Sequence, residues 1–476
     1  MLIRFRLGEI VLCSDIEKAF LQIKLNLEDR DATRFLWVKD PTKPPANGNI
    51  IEYRMTCVPF GTNSSPSLMG MTLAHHVQST EDSNLATEIL NNAYVDNIIV
   101  FATTVPEAVR KYEKLKEIFE DAQMNLRECS SNSQEVLEAI TTQDKAENLN
   151  PKVLGIPWNS EKDLIKVQSI IPNKDQVTKR SITQQHASTY DPLGWMTPLL
   201  LKSKLFLQKL WQMELKWDIE LPVDTAREWK KLKEEISGFE KSIPRKVNLD
   251  TSRAVKLIVF TDASQEAHAT CAYIANSSGS ELIMARSKLR QAKAKTTIPK
   301  MELHAATLGC RMLKTILAEV ETMVKVETVI LLTDSEIALS WIVQEEGKSE
   351  LGTYVDRRRR EIRQTATEIE DKYGLKTMFG YINTKINPAD VATRGLSKSD
   401  LMNHLWWTGP IHISKDIEDW PEETRLQTLG NGNRQITCAA VKINTSKKLL
   451  NLERYHSWQK ARRVYVYVRR IHRSNA

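Results

Sequence analysis

The sequence of 476 residues predicts a multidomain protein of mixed α/β and α+β class. The length exceeds that of one ordinary domain, which is about 150 residues. In the first half, short apolar strands separated by polar turns indicate an antiparallel sheet with helices. After residue 251, buried strands alternate with long amphipathic helices, which is typical of a mixed α/β sheet.

The first half divides into short strands and helices. Residues 10–25 begin with an apolar segment that is predicted to be a strand ending at Asp15. The segment YVDNIIVFA is a predicted hairpin with its polar turn at Asp96 and Asn97. The remaining predictions are paired strands at 34–38 and 51–55, an amphipathic helix over Pro106–Ala122 and a second hairpin over Val153–Val167.

Helices dominate the middle of the chain, and strands return later. Residues 181–217 are predicted to be mostly helical, and residues 218–250 to be a charged helix and linker. Thereafter the pattern predicts a strand ending in Asp262, a hairpin turning at SSGS, a long helix that contains Glu302, a strand ending in Asp334, a helix over Val355–Asp371 and a strand over 376–385.

Hydropathy, cysteine content and charge limit the possible classes of protein. The sequence contains no run of about 18 apolar residues, so no membrane span is predicted. The six cysteines form no CxxC pair, so reduced, intracellular thiols are expected instead of disulfides or zinc. The net charge of the sequence is +7. The segment from Lys442 to Arg473, the basic tail, contains ten Lys and Arg residues and one acidic residue, Glu453. Its net charge is therefore +9, which leaves −2 for the rest of the chain. Outside the tail, nucleic-acid binding is therefore expected to depend on particular sites and not on the overall charge.

Acidic residues in the second half predict a metal site. Asp262 and Asp334 end two strands, and neighbouring strand ends lie at one edge of a sheet. A helix starting at Pro299 would direct Glu302 there, and Asp390 before a turn would close the site. Clustered carboxylates repel each other unless a cation lies between them, and Mg²⁺ prefers oxygen ligands. Four carboxylates suit two-metal hydrolysis of a phosphodiester with Mg²⁺ or Mn²⁺; each residue alone could instead be a turn former or helix cap.

The motifs FTDAS, KMELHA, LLTDSEIALSWI and NPADVATRG resemble the type 1 ribonuclease H family. The run NPADVATRGLSKSDL with HLWWTGP is similar to the BEL/Pao class of LTR retrotransposons. The resemblance implies that Asp262, Glu302, Asp334 and Asp390 are metal and catalytic ligands. Many relatives carry a mobile His just ahead of the last Asp; this chain has none, which we expect to slow product release.

The first half carries two further acidic residues, which are the minimum for a nucleotidyl-transfer site. Asp15 ends a strand and Asp96 lies in the hairpin. Two carboxylates on facing strands can hold two Mg²⁺ ions, which lower the pKa of a primer 3′-OH and neutralise a triphosphate. Phe20, five residues after Asp15, would stack beneath the incoming sugar, with a core aromatic as the alternative interpretation.

This half resembles reverse transcriptases in SDIEKAFLQI, VPFGTNSSPSLM and YVDNII. The resemblance implies a palm with a ferredoxin-like antiparallel sheet, in which Asp15 and Asp96 are catalytic metal ligands. VLGIPWN and DPLGWMTPLLLKSKLFLQKLW are similar to the primer-grip and connecting regions of BEL/Pao elements. Five positions are implied to contact nucleotide or template: Phe20, Phe60, Gly61, Tyr94 and Asn97.

Two departures predict an impaired polymerase. The hairpin reads YVDN where relatives have YVDD, so Asn97 lacks a negative charge. The chain also begins about ten residues before the first motif, so we expect a truncated palm whose fingers are missing. Catalysis of this kind depends on charge clamping and positioning, which both departures weaken.

The expected protein is a fragment of a retroelement polyprotein. Its predicted partners are RNA–DNA hybrid and template-primer, with protease and integrase of the same polyprotein and no membrane. Its expected location is intracellular: cytoplasmic in particles, and nuclear. The alternative is an inactive relic or a domesticated nucleic-acid-binding protein. The predicted domains are a truncated palm (1–125), a thumb and primer-grip region (126–180), a helical connection (181–250), a ribonuclease H-like domain (251–400) and a basic extension (401–476).

The four consecutive arginines Arg357–Arg360 lie in a predicted helix. Successive helical residues point about 100° apart, so the four cannot form one flat stripe. Two interpretations remain open: a solvated helix with one or two contacts, or a patch that binds backbone phosphates.

Overall fold

A computed structural model describes residues 1–46, 48–148, 150–291, 296–344 and 351–429. Within these ranges, the strands form two four-stranded sheets, one six-stranded sheet and one separate two-stranded sheet. The predicted class, antiparallel sheets followed by a mixed sheet, is confirmed.

The first four-stranded sheet is antiparallel, with the strand order β4-β5-β1-β6. Its two faces bury different residues: Leu12 and Ile98 pack against the helices of this region, whereas Val11 and Ile99 join the main core of the molecule. The sheet is therefore covered on both sides. The elements of this region are α1 (Leu2–Phe5), β1 (Ile10–Ile16), β2 (Arg34–Val38), β3 (Ile50–Arg54), α2 (Ser65–Gln78), α3 (Ser83–Asn92), β4 (Ala93–Tyr94), β5 (Asn97–Ala102), α4 (Val105–Asp121), β6 (Leu126–Ser131) and α5 (Gln134–Ala139).

Local sequence signals place several of these elements. Thr104 caps α4 by accepting a hydrogen bond from the backbone of Glu107, and Pro106 occupies the first turn, as predicted. The predicted pair of strands around residues 40–49 is confirmed as β2 and β3, joined in antiparallel register. The predicted hairpin turn was displaced by one residue: Asn97 already belongs to β5, and Val95 takes the positive φ of 59° that the tight turn requires.

The second four-stranded sheet has the order β10-β9-β8-β7. The predicted hairpin over Val153–Val167 is confirmed in β8 and β9. The prediction of only helix and linker over residues 218–250 was wrong, because this stretch also contains a strand that pairs with β9. The elements are β7 (Lys152–Val153), β8 (Ile156–Asn159), β9 (Leu164–Ser169), α6 (Lys179–Ala187), α7 (Thr197–Gln212), α8 (Val223–Ile236) and β10 (Phe239–Pro244).

The six-stranded sheet is mixed, with the order β13-β12-β11-β14-β15-β16. Strands β11, β14 and β15 run parallel to one another, and the remaining pairs are antiparallel. The elements are β11 (Val255–Ala263), β12 (Ala267–Asn276), β13 (Gly279–Leu289), α9 (Ile298–Val320), β14 (Val326–Thr333), α10 (Glu336–Val343), α11 (Thr353–Tyr373), β15 (Thr377–Tyr381), α12 (Ala389–Arg394), α13 (Lys398–Met402) and β16 (Leu426–Thr428).

The segment before α7 packs closely on this mixed sheet. Gly194 has a φ of +74°, and a Cβ atom there would lie 1.9 Å from the backbone oxygen of Ala285, so only glycine fits. The indole of Trp195 donates to the Ile283 carbonyl at 3.2 Å, and the indole of Trp406 donates to the Trp195 carbonyl at 2.8 Å. The motif DPLGW thereby joins the helical connection to the sheet.

Two buried arginines, Arg245 and Arg6, join the three larger sheets. Arg245, which is fully buried, follows β10 and donates hydrogen bonds to the carbonyls of Phe5 and Gly8 and to the carboxylate of Asp163. Arg6 donates to the Leu282 carbonyl on β13 at 2.9 Å. One hydrophobic core accordingly runs through residues of all three sheets.

The predicted basic tail between Lys442 and Arg473 lies outside the described residues, and so does Cys438. The other five cysteines are free thiols. No helix of the described ranges is both long enough and apolar enough to cross a bilayer.

Candidate active site

Three of the predicted carboxylates lie together at one edge of the mixed sheet. Strands β11 and β14 are parallel neighbours in which Thr261 is paired with Thr333, so the next residue of each, Asp262 and Asp334, emerges at the same edge. Ligand oxygens of Asp262, Glu302 and Asp334 lie within 4.8 Å of one another. We call these three residues the acidic triad.

Helix α9 brings Glu302 to the triad. The helix begins at Ile298, with Pro299 in its first turn, as the sequence predicts for this residue. Glu302 follows one turn later and is 5% exposed. A carboxylate near a helix N-terminus is stabilised by the positive end of the helix dipole, which offsets part of the cost of burial.

The triad is electrostatically strained without a cation. Burial, with a further contribution from the charge of Asp334, raises the pKa of Asp262 from 3.8 to about 7. Burial likewise raises the pKa of Asp334. Oδ1 of Asp334 is buried and has no hydrogen-bond partner in the described part of the chain. A divalent cation with oxygen ligands would both neutralise this charge and occupy the unpartnered oxygen.

Two threonine hydroxyls hold the aspartates of the triad. Thr393 on α12 donates to Oδ2 of Asp262, and Thr384 donates to Oδ2 of Asp334 at 2.6 Å. Asn387 anchors the same segment by donating to the Thr261 carbonyl at 3.1 Å. Sequence analysis missed these residues. The only available signal was their position within or just before NPADVATRG.

Asp390 lies beside the triad but not within it. Its charge raises the pKa of both Asp262 and Asp334, which places it nearby. Its own Oδ1 lies 2.7 Å from Nε of Arg394, one helical turn later, and this guanidinium opposes the rise that burial causes in the pKa of Asp390. The structure therefore brings together three of the four predicted carboxylates and pairs the fourth with an arginine.

The antiparallel sheet of the first half brings Asp15 close to Asp96. Asp15 on β1 is paired across the sheet with Asn97 on β5, and the backbone of Ile16 donates to the Asp96 carbonyl at 2.8 Å. Burial, followed by the charge of Asp96, raises the pKa of Asp15 from 3.8 to about 6. The side-chain amide of Asn97 donates to Oδ1 of Asp96 at 2.9 Å. Asn97 thus supports the carboxylate of its neighbour.

The residues that were predicted to contact nucleotide differ in their exposure to solvent. Phe20 is half-buried and contacts Phe60 edge to face, with ring centroids 5.2 Å apart. Phe60 and Tyr94 are 64% and 61% exposed. Gly61 has a φ of +89° with open space around it. The aromatic rings of Phe60 and Tyr94 are available for stacking.

Two family profiles match the chain. Residues 5–134 match the reverse transcriptase family (RNA-dependent DNA polymerase), and residues 178–335 match the Pao retrotransposon-like RNaseH-like domain. The first match includes the region of Asp15 and Asp96, and the second includes the complete acidic triad. No curated protein matches the sequence.

Among solved structures, two foamy viral proteins are similar. The foamy viral protease-reverse transcriptase dRH in complex with double-stranded DNA is 12% identical, with a TM-score of 0.44, over 80% of this chain and 59% of that one. The foamy viral protease-reverse transcriptase in complex with RNA/DNA hybrid is 14% identical, with a TM-score of 0.42, over 80% of this chain and 45% of that one. The chain thus spans about half the length of these viral proteins.

In this chain, a segment that matches the reverse transcriptase profile therefore precedes a segment that matches the Pao RNaseH-like profile. The match to the Pao profile confirms the predicted resemblance to BEL/Pao elements.

Proposed function

We propose that the chain is a divalent-metal-dependent endonuclease that cleaves the RNA strand of RNA–DNA hybrids. The observation that carries this proposal is the acidic triad: three carboxylates from β11, α9 and the end of β14 with ligand oxygens within 4.8 Å. Clustered carboxylates repel one another when they are ionised, and a bound cation would relieve this repulsion.

The residues present fit Mg²⁺, with Mn²⁺ as a substitute. All donors in the triad are carboxylate oxygens, the ligands that these hard cations prefer. Oδ1 of Asp334, which is buried and has no hydrogen-bond partner among the described residues, is a ligand atom of the correct type. We propose that Asp262, Glu302 and Asp334 hold the metal, and that Asp390 joins them when its pairing with Arg394 is exchanged for the cation.

Two threonines of the chain orient the aspartates of the triad. Thr393 occupies Oδ2 of Asp262 and Thr384 occupies Oδ2 of Asp334, so each aspartate keeps one oxygen for a cation. Bound divalent cations would lower the pKa of the attacking water and neutralise the charge on the leaving 3′ oxygen. Because both aspartates are held by hydroxyl groups, they need little rearrangement when the substrate arrives.

For the first half, we propose a polymerase palm of reduced activity. Asp15 and Asp96 offer two carboxylates, but Asn97 donates its amide to Asp96 and contributes no charge. Nucleotide addition depends on charge neutralisation of the triphosphate, so loss of one carboxylate weakens the metal site. Primer extension should be much weaker than hybrid cleavage.

An alternative proposal is a protein that binds hybrid without turnover. The ion pair of Asp390 with Arg394 favours it, since a fourth ligand held by arginine leaves the metal site incomplete. For either function we propose nucleic acid as the partner, together with protease and integrase of the same polyprotein, and an intracellular location in cytoplasmic particles and in the nucleus.

The test is cleavage of a labelled RNA–DNA hybrid by the purified full chain with Mg²⁺ and with EDTA. Wild type should cleave in Mg²⁺ only, and Asp334→Asn should lose at least 100-fold in rate, as expected for loss of a metal ligand (~10²-fold or more). Glu336→Gln is the matched control, because Glu336 lies two residues away and is 69% exposed. Binding without cleavage would favour the alternative, and equal activity of Asp334→Asn and wild type would exclude the triad as the active site.

A further inference from the structure

A basic groove lies between helices α9 and α11, apart from the acidic triad. It encloses about 200 Å³. The two helices run side by side in the same direction, since Arg311 contacts Glu361 and Lys314 contacts Glu368 further along. The groove is lined by His304, Thr307 and Arg311 from α9 and by Arg357, Arg358 and Glu361 from α11.

The structure divides the run of four arginines into different environments. Arg357 and Arg358 line the groove, Arg359 is 5% exposed on the core side of α11, and Arg360 is exposed elsewhere on the helix. This agrees with the prediction that steps of about 100° prevent a single stripe. Only two of the four arginines can therefore act together on one ligand in the groove.

Arg358 is held in place as a binding group. Its Nε donates to Nδ1 of His304 at 3.1 Å, and its guanidinium carbon lies 3.5 Å from the ring centroid of Tyr354. Its Nη1 also donates to the Tyr354 carbonyl at 3.3 Å. Because a guanidinium has five N–H donors, three remain without a partner in the described ranges. An oriented guanidinium with free donors matches the tetrahedral oxygens of a phosphate.

The charge of the groove favours an anion. Arg311, Arg357 and Arg358 contribute three positive charges, and Glu361, which pairs with Arg311, contributes one negative charge. The lining therefore has a net charge of +2 with His304 neutral. Arg357 has no hydrogen bond or ion pair within the described ranges, so its charge is free for a ligand.

A buried histidine forms part of the surroundings of this groove. His268 on β12 is 6% exposed, and neither of its ring nitrogens has a hydrogen-bond partner among the described residues. Its ring meets that of His304 edge to face, with centroids 4.6 Å apart. Buried polar atoms without partners are rare and costly, so a ligand or ordered water beside this pair of rings would satisfy them.

We propose that this groove binds a backbone phosphate of the nucleic acid, with Arg357 and Arg358 as the contacting residues and His304 as the positioning residue for Arg358. The inference rests on the proposed function, because it assigns a second contact to the same hybrid. Glu302 and His304 are two residues apart and hence about 200° apart around α9. The phosphate bound here is therefore distinct from the one cleaved at the acidic triad.

The test measures hybrid binding and its salt dependence by fluorescence anisotropy. Full-length Asp334→Asn serves as the background, so that the hybrid is not cut. Arg357→Gln and Arg358→Gln should each weaken binding at least fivefold and lower the slope of log Kd against log salt by about one, the value for one lost phosphate contact. Arg360→Gln is the matched control: the same charge is removed from the same helix, and its affinity and slope should change little.

A second measurement identifies the phosphate. Methylphosphonate groups are placed one at a time along the DNA strand or the RNA strand of the hybrid. If the groove binds one phosphate, a methylphosphonate at that position should weaken binding of the hybrid to the background protein. The same methylphosphonate should weaken binding to the Arg358→Gln variant little further, because that contact is already lost, as in a double-mutant cycle. Inorganic phosphate added at matched ionic strength tests whether free phosphate is the ligand. If inorganic phosphate competes with the hybrid, but no methylphosphonate position depends on Arg358, the assignment of the groove to nucleic acid is wrong.

The inference and the proposed function can fail separately. A chain that cleaves hybrid in Mg²⁺, but in which Arg357→Gln, Arg358→Gln and Arg360→Gln bind alike, would overturn the groove and leave the nuclease intact. A chain that binds hybrid through the groove without cleavage in Mg²⁺ would overturn only the nuclease. Absence of hybrid binding to the full chain would overturn the groove as a nucleic-acid site. Circular dichroism of each variant checks that the fold is retained.

Discussion

The hydroxyl of Thr393 donates a hydrogen bond to Oδ2 of Asp262 across 131 residues of sequence. It joins the short helix α12 to the end of the central strand β11, and the same hydroxyl oxygen lies 2.9 Å from the carbonyl oxygen of Asp390. One side chain therefore orients a triad carboxylate and fixes the first turn of the helix that carries Asp390.

Replacement of this hydroxyl should impair the nuclease without removing a ligand. Thr393→Val is expected to reduce the hybrid cleavage rate or Mg²⁺ affinity by about 10- to 100-fold, the effect of losing a residue that orients a metal ligand. Thr393→Ser, which keeps the hydroxyl, should retain most of the activity. The measurement is the cleavage rate as a function of Mg²⁺ concentration, and equal rates for Thr393→Val and wild type would show that the hydrogen bond is dispensable.

The raised pKa of Asp262 predicts how stability depends on pH without metal. Below its ordinary pKa of 3.8, the carboxyl group is protonated in both the folded and unfolded chain and makes no difference. As the pH rises toward the folded pKa of about 7, the unfolded chain ionises first, so the folded state is progressively destabilised. The full penalty is present above pH 7.

Asp262→Asn should remove this penalty. In EDTA at pH 8, its melting temperature should exceed that of wild type by at least about 2 °C, the shift that roughly 1 kcal/mol causes in a domain of this size class. The two curves should converge near pH 4, and Mg²⁺ at pH 8 should raise the melting temperature of wild type more than that of the variant. A variant that is less stable than wild type at pH 8 in EDTA would contradict the electrostatic account.

The ion pair between Arg394 and Asp390 should compete with the metal. Arg394 is 67% exposed, and exposed ion pairs contribute about 0.2–1 kcal/mol. Arg394→Gln should therefore lower the Mg²⁺ concentration for half-maximal cleavage by roughly 1.5- to 5-fold. Arg425→Gln serves as the control, because Arg425 is 60% exposed and lies 3.9 Å from Glu336, outside the triad. A higher Mg²⁺ requirement for Arg394→Gln would indicate that Arg394 assists the site.

A third carboxylate in the palm should reveal the palm's metal site. Asn97→Asp would place a negative charge opposite Asp15 and beside Asp96. Without metal this charge should destabilise the fold, because like charges at this distance repel. Mg²⁺ should raise the melting temperature of Asn97→Asp more than that of Asn97→Ser, which lacks the charge; an equal Mg²⁺ effect on both variants would argue against a metal site at Asp15 and Asp96.

The buried guanidinium of Arg245 should be essential for stability. It donates to the carbonyls of Phe5 and Gly8 and to Asp163, so Arg245→Met removes the donor of two buried carbonyls and the positive charge that pairs with Asp163. The expected loss is about 3–5 kcal/mol in the free energy of unfolding, measured by urea denaturation. Arg253→Met, at an exposed ion pair with Asp250, should change it by no more than about 0.5 kcal/mol. Similar effects of the two changes would refute a joining role for Arg245.

The sequence was sufficient to predict those site residues that are fixed by short-range rules. Asp262 and Asp334 lie at the ends of short apolar runs rich in Val, Ile and Leu, which favour buried strands, and parallel strand ends meet at one edge. Pro299 marks the start of the helix that carries Glu302. The hairpin between Tyr94 and Asn97 was predicted from its polar turn, although Val95 and not Asn97 adopts the turn conformation.

The remaining features depend on contacts between distant residues. Thr393 and Thr384 act on carboxylates 131 and 50 residues away, and no local pattern encodes such a pair. Strand β10 was missed because only Phe239 and Ile243 of its six residues are buried, and its pairing partner β9 lies about 75 residues earlier. The pairing of Asp390 with Arg394 has helical i, i+4 spacing, but its importance for the metal site depends on the position of α12 beside the triad.

We propose that the acidic triad hydrolyses the RNA strand of a hybrid. A single-turnover reaction tests this on a hybrid with separate labels on the RNA and DNA strands, using wild type, Asp334→Asn and Glu336→Gln in Mg²⁺. We expect cleavage of the RNA strand alone, with 3′-hydroxyl ends, by wild type and Glu336→Gln, and none by Asp334→Asn. An intact RNA strand with wild type, cleavage of both strands, or undiminished cleavage by Asp334→Asn would contradict it.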